Sequence, residues 1–157
     1  MAFQLTNIAR DIIEDARVGR CYVPAQWLRE AGIPADQVAL PAHRAAIARI
    51  AARLVAAAEP YYTSARGGIH ALPLRSAWAI ATAHGVYRQI GIDVRAKGEQ
   101  AWDQRVSTST ATKLRLLAAG GIKALLSRVT TAPARPPGLW QRPGPPADPG
   151  ATGAGAA

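Results

Sequence analysis

Apolar residues recur at helical spacing along most of the first 128 positions. Within residues 1–17, Leu5, Ile12, Ile13 and Ala16 fall on one side of a helix that Gly19 ends. Cys21-Tyr22-Val23-Pro24 reads as a short extended connector, and Ala25 to Ala31 as a short helix closed by Gly32. Pro34 and Pro41 mark two turns before a long helical stretch from Ala42 to about Arg66, whose buried stripe is Ile47, Ile50 and Leu54. Pro60 lacks an N–H and clashes with the preceding turn, which predicts a kink or break there. Gly67 to Pro73 reads as a loop. Leu74 to Lys97 is a second long helix, with Ile80, Ala83, Tyr87, Ile90 and Val94 on its stripe. A last helix is predicted from about Thr110 to Arg128. No internal repeat is present, and the body is an all-α array of four or five helices.

Composition supports this picture and divides the chain. Of 157 residues, 49% are hydrophobic and 18% charged, which is enough apolar material for a core. Alanine supplies much of it and aromatics only 6%, a balance that favours helix over strand. From Pro133 onward stand seven of the twelve prolines and five of the fourteen glycines. Residues 1–132 therefore read as the helical domain and 133–157 as a disordered low-complexity tail, with Trp140 its one anchor. No run of eighteen apolar residues marks a transmembrane helix, and the first residues lack the pattern of a signal peptide. The single Cys21 excludes an internal disulfide and a multi-cysteine zinc module, and points to a reducing compartment.

Charge narrows the partners. Nineteen Lys and Arg against ten Asp and Glu give +9, and sixteen of the nineteen are arginine. The flat guanidinium pairs bidentately with phosphate oxygens, so the excess fits nucleic acid, an anionic membrane or a phosphorylated small substrate. Genomic GC content, which enriches Arg and Ala together, is the bland alternative.

The strongest chemical signal lies in residues 4–15, Gln-Leu-Thr-Asn-Ile-Ala-Arg-Asp-Ile-Ile-Glu-Asp. At about 100° per residue, Gln4, Asn7, Asp11, Glu14 and Asp15 share an arc of roughly 100°, opposite the apolar side. Asp11 and Asp15 stand one turn apart and repel, at a cost of about 0.2–0.5 kcal/mol. Glu14 adds to the repulsion, and a bound divalent cation would reverse its sign. Magnesium suits such a site, because it takes oxygen ligands and bridges carboxylates to substrate phosphates; manganese is the alternative ion. The spacing of Asn7, Asp11 and Asp15 is that expected of a diphosphate-bound metal cluster. A solvated acidic surface face is the competing reading. No EF-hand loop is present, and His43, His70 and His84 have no paired metal spacing.

These residues, followed by Gly19-Arg20-Cys21-Tyr22-Val23-Pro24, resemble the second aspartate-rich motif of the squalene and phytoene synthase family. The likeness continues through Glu59-Pro60-Tyr61-Tyr62, Gly68 to Arg75, Tyr87-Arg88-Gln89-Ile90-Gly91 and Trp102-Asp103-Gln104-Arg105, and ends near Leu139 to Pro143. It is strongest to bacterial members of carotenoid pathways. The resemblance implies an all-α isoprenoid-synthase fold in which two aspartate-rich motifs face each other across a cavity. It also implies condensation of two geranylgeranyl diphosphates, head to head through a cyclopropyl diphosphate, to phytoene. By motif match, Asn7, Asp11 and Asp15 would hold metal, and Gln4 and Arg10 would contact the diphosphate or its metal cluster. Tyr87 would line the active site and Arg105 would lie near the diphosphates. Read without the family, Tyr87 is equally a core residue and Arg105 a surface one.

The first aspartate-rich motif of the family is not found in these 157 residues, so the chain reads as a C-terminal portion carrying half of a diphosphate site. On that reading the isolated chain is inactive, and the apolar side of its first helix (Leu5, Ile8, Ile12 and Ile13) is exposed for want of partners. A forty-carbon product and the +9 charge imply a cytoplasmic protein held peripherally on anionic membrane. The competing functions are a basic helical nucleic-acid module and a non-catalytic partner-binding remnant. A carboxylate-lined face and the lack of any nucleic-acid signature argue against the first. No nicotinamide-binding glycine motif suggests a following reduction.

Overall fold

The computed structural model describes residues 1–130 and 138–140. Five α-helices follow in order, α1 (Ala2–Arg17), α2 (Ala25–Glu30), α3 (Arg44–Arg66), α4 (Leu74–Lys97) and α5 (Thr110–Leu126). Short 3₁₀ turns at Ala35–Gln37, Pro41–His43, Ile69–Ala71 and Gly98–Trp102 join them, and no strand occurs among the described residues. The fold is all-α, as the periodicity predicts. The boundary between body and tail lies outside the described residues.

The chain reverses direction at the predicted glycines. Gly19 and Gly32 adopt φ of +74° and +68°, a conformation in which a Cβ would meet the following carbonyl. Helices α1, α3 and α4 then pack on one another around Ile12, Ile13, Ile47, Leu54, Val55, Ile90 and Val94, all buried. Fully burying side chains of this size stabilises by about 1.5–3 kcal/mol each. Val23, Leu28, Ile33 and Val38 seal one edge of this core from the α2 segment, and Trp102 and Val106 add to it from the segment after α4. On the outer edge, Arg53 lies 4.0 Å over the Trp27 ring and 2.7 Å from Glu30, which clamps α2 to α3.

Three expectations change. The apolar side of α1 is not left open: Ile12 and Ile13 are buried, and Leu5 and Ile8 are half-buried against the same core, because α3 and α4 cover that side. Helix α3 runs unbroken through Pro60. Both Pro60 and Ala56, whose carbonyl loses its donor, are exposed, which puts the lost hydrogen bond on the solvent side of the helix, where its cost is smallest. Ile80 is 43% exposed, whereas Ile90 and Val94 on the predicted stripe are buried. The N-terminal half of α4 leaves the main core and packs instead, through Ala77 and Ala81, on Ala124 of α5 and Ile69.

Helix α5 packs chiefly on α4. Ser109 caps it by accepting the Thr112 N–H at 3.2 Å, and Arg128 beyond its end donates to the carbonyls of His70 (2.8 Å) and Leu72. Leu114, Leu117, Ile122, Leu125 and Leu126 remain exposed along it.

Candidate metal and diphosphate site

The polar strip of α1 is held in place from beneath. Thr6, fully buried, shares a 2.8 Å hydrogen bond with the Tyr62 hydroxyl of α3. The carbonyl of Tyr62 in turn accepts from His84 Nε2 of α4 at 2.8 Å, which fixes the tautomer that carries hydrogen on Nε2. One residue after Thr6, Asn7 brings its side-chain oxygen Oδ1 into a buried position with no hydrogen-bond partner. A buried acceptor without a donor is unfavourable by about 1–3 kcal/mol, and a cation would satisfy it.

One turn on, Asp11 is gripped by two arginines. Arg10 donates from Nε to Oδ1 at 2.8 Å and from a terminal nitrogen to Oδ2 at 2.6 Å, both side chains being mostly buried. Arg105, brought back by the turn Gly98–Trp102, approaches Oδ1 at 3.4 Å, and its Nε lies 3.6 Å from Glu14. Burial pushes the Asp11 carboxyl up, but the hydrogen bonds and charge of Arg10, with Arg105 behind them, outweigh it and hold the group below the usual carboxylate range. The same contact raises the Arg10 guanidinium.

The structure thus brings Arg10, Asp11, Arg105 and Glu14 together, and keeps Asn7 and Asp15 on the same face of α1. Asp15 makes no ion pair among the described residues, and Gln4 is exposed at the start of the strip. Tyr87 does not join the ionic group. It stacks on Phe3 of α1 at 4.6 Å and helps line a cleft of about 580 Å³ beside α4, with Arg75, Trp78, Val86 and Leu117. The cleft is apolar over most of its wall, with the Arg75 guanidinium as its one charged side chain. Periodicity alone singled out neither the cleft nor Trp78, whose Nε1 donates to the Leu117 carbonyl at 2.8 Å. Its signal was an unusual one: a tryptophan on the polar side of α4 facing a helix that carries adjacent glycines, Gly120 and Gly121.

The donor set fits a hard cation. One amide oxygen and two carboxylates at one-turn spacing are oxygen ligands of the kind magnesium and manganese take, with further positions left for water or a phosphate. No group of three His, Cys, Asp or Glu side chains converges among the described residues, so these ligands alone make no closed cage.

The family model described as squalene/phytoene synthase matches residues 1–112. A 15-cis-phytoene synthase of Pantoea ananas is 59% identical over 143 residues, 91% of this chain and 46% of that protein. One of Enterobacter agglomerans is also 59% identical, over 91% of this chain and 48% of its own length, and a phytoene synthase of Pseudescherichia vulneris is 54% identical over 91% and 46%. The chain spans about half the length of the curated relatives it matches. No solved structure matches it significantly. With a match that covers α1, α2, α3, α4 and every candidate site residue, the chain belongs to the squalene/phytoene synthase family.

Proposed function

We propose that this chain supplies the metal-binding and diphosphate-binding helix of a phytoene synthase-type transferase, which joins two geranylgeranyl diphosphates head to head to give phytoene. The observation that carries the reading is the orphaned Oδ1 of Asn7, one turn before a carboxylate already surrounded by cationic donors. The names of the relatives supply the product. Asn7, Asp11 and Asp15 would hold magnesium, or manganese, which when bound neutralises the charge that develops on a departing diphosphate. Arg10 and Arg105 bring guanidinium forks to the diphosphate oxygens, and Gln4 offers an amide at the rim of the strip. Tyr87 and the apolar cleft hold hydrocarbon away from water, so that the allylic portion of the substrate is screened while the leaving group is neutralised.

Peripheral contact with anionic membrane belongs to the same reading. No helix of the described residues is long and apolar enough to cross a membrane. Exposed leucines of α5 stand among Lys113, Arg115, Lys123 and Arg128, and residues 104–130 contain no Asp or Glu. A surface of that composition enters the headgroup region of an anionic bilayer, where a forty-carbon product also leaves. The acidic strip on α1 counts against a nucleic-acid partner.

A chimera tests the enzymatic reading. The 143 matching residues of the Pantoea ananas protein are replaced by those of this chain, and product from geranylgeranyl diphosphate is measured with and without magnesium. Magnesium-dependent phytoene formation is expected, and Asp11→Asn or Asp15→Asn should each slow it by on the order of 100-fold or more. A folded chimera that makes no phytoene, or Asn variants that turn over at the parental rate, would overturn it.

A further inference from the structure

Both oxygens of Asp11 are engaged before any ligand arrives. Oδ1 accepts from Arg10 at 2.8 Å and from Arg105 at 3.4 Å, and Oδ2 accepts from Arg10 at 2.6 Å. Each carboxylate oxygen has two lone-pair positions, so Oδ1 has none to spare. A dication approaching Oδ2 meets the charge of two guanidinium groups. The carboxylate is therefore occupied by cations of the protein's own.

The two arginines are not equally held. Arg10 grips with a fork from the neighbouring residue, and its side chain is only 16% exposed. Arg105 is 60% exposed, reaches Asp11 at a longer distance, and comes from an irregular segment ninety-four residues away. Glu14 Oε2 lies 3.6 Å from Arg105 Nε, so this guanidinium keeps an anion beside it when it leaves Asp11. Arg105 is the less firmly held of the two.

We propose that Arg105 is a positioning residue that occupies Asp11 as a cation placeholder, and that it is drawn off by diphosphate so that metal and diphosphate bind together rather than metal alone. This rests on the metal and diphosphate reading above. The physical cause is competition for one carboxylate: an anion that pairs with Arg105 removes both a hydrogen bond from Oδ1 and a repulsive charge from the path of the dication. By linkage, whatever factor the anion adds to metal affinity the metal adds to anion affinity. Metal held without its diphosphate would leave the ligands facing water and no substrate; the placeholder disfavours that state.

The test is manganese binding to the 157-residue chain, followed by the paramagnetic signal of the free ion, with and without inorganic pyrophosphate and corrected for the complex that the two form in solution. Pyrophosphate should tighten manganese binding by the parent chain. Arg105→Gln should bind manganese alone about two- to fivefold more tightly, the range that loss of an exposed ion pair supports, and should lose that same factor from the pyrophosphate effect. Arg17→Gln removes the same charge from α1, where Arg17 makes no ion pair among the described residues, and should change neither quantity by as much. Unchanged or weaker binding by Arg105→Gln, or an equal gain in both variants, overturns the placeholder while leaving the site intact. Manganese binding that pyrophosphate does not strengthen and Asp15→Asn does not weaken, or no binding under any condition, overturns the site itself and the placeholder with it.

Discussion

Thr6 of α1 and Tyr62 of α3 meet through their hydroxyls at 2.8 Å in a position from which water is excluded. That one bond lies directly beneath the polar strip, since Asn7 follows Thr6 and its Oδ1 is the orphaned acceptor. It sets the rotation of α1 about its axis, and with it the direction in which Asn7, Asp11 and Asp15 project.

The losses from removing the two hydroxyls should not add, because each removal orphans the other. Tyr62→Phe leaves the Thr6 hydroxyl buried without its partner, and a loss of about 1–3 kcal/mol is expected in urea unfolding. Thr6→Val should cost a similar amount for the same reason. The double variant should fall short of the sum by about 1 kcal/mol. Additive losses would mean that the hydroxyls do not act as a pair.

His84 gives the fold an acid-sensitive point. It is 4% exposed, and burial pulls its pKa below the usual histidine value, against the hydrogen bond to Tyr62, with Arg66, Lys123 and Arg88 pulling it further down. The unfolded chain thus binds a proton at a pH where the native chain does not. Stability from this group is whole above about pH 6.5 and is lost as pH falls from there toward the native pKa. Melting temperatures measured between pH 7.5 and 5.5 should decline, and His84→Gln should flatten the decline. A parallel decline in both proteins would remove His84 as its source.

The α4–α5 contact distinguishes two adjacent glycines. A Cβ on Gly120 would stand 2.4 Å from Thr82 Oγ1 and 2.9 Å from the Thr82 backbone nitrogen, so Gly120→Ala must push the helices apart. The helix-propensity gain of about 1 kcal/mol does not offset a clash with backbone, and a net loss of about 1–3 kcal/mol is expected. At Gly121 the nearest atom, Trp78 Nε1, is 3.4 Å from the added carbon, which is ordinary contact. Gly121→Ala should therefore be neutral or stabilising by up to about 1 kcal/mol, and thermal unfolding of the two variants checks the opposite signs.

Vesicle flotation checks the membrane contact. Recovery should be higher with anionic than with neutral vesicles and should fall at high salt, because the attraction is screened within about 10 Å at 0.1 M. Replacing Lys113, Arg115 and Lys123 by Gln should act as salt does, whereas equal recovery on both kinds of vesicle would contradict the assignment.

What the residues disclosed in advance was local. The strip Asn7, Asp11, Asp15 needs only the pitch of a helix to be recognised, and Leu74–Lys97 has a proline before it and a glycine after it. The grip of Arg10 on Asp11 was hidden, because neighbours on a helix point about 100° apart and pattern reading does not pair them. The approach of Arg105, the Thr6–Tyr62 bond and the seat of His84 join residues 94, 56 and 22 positions apart, and only packing brings these together. Helix α5 is predicted as a helix without a buried face assigned to it, and although leucines run along it only Gly120 and Ala124 are buried.

That sparse burial gives the molecule two tiers of cooperativity. Helices α1, α3 and α4 share one interlocked core, and breaking any of them exposes the others. Helix α5 is moored to α4 by two small buried residues and the Trp78 side chain, and to the turn before α4 by the Arg128 clamp on the carbonyls of His70 and Leu72. Its amide hydrogens should exchange with solvent through a local opening that leaves the rest folded, well before those of α1 or α3. The wall that Leu117 lends to the apolar cleft would open and close with it, so the cleft would breathe on its own clock while the carboxylate helix stayed in place.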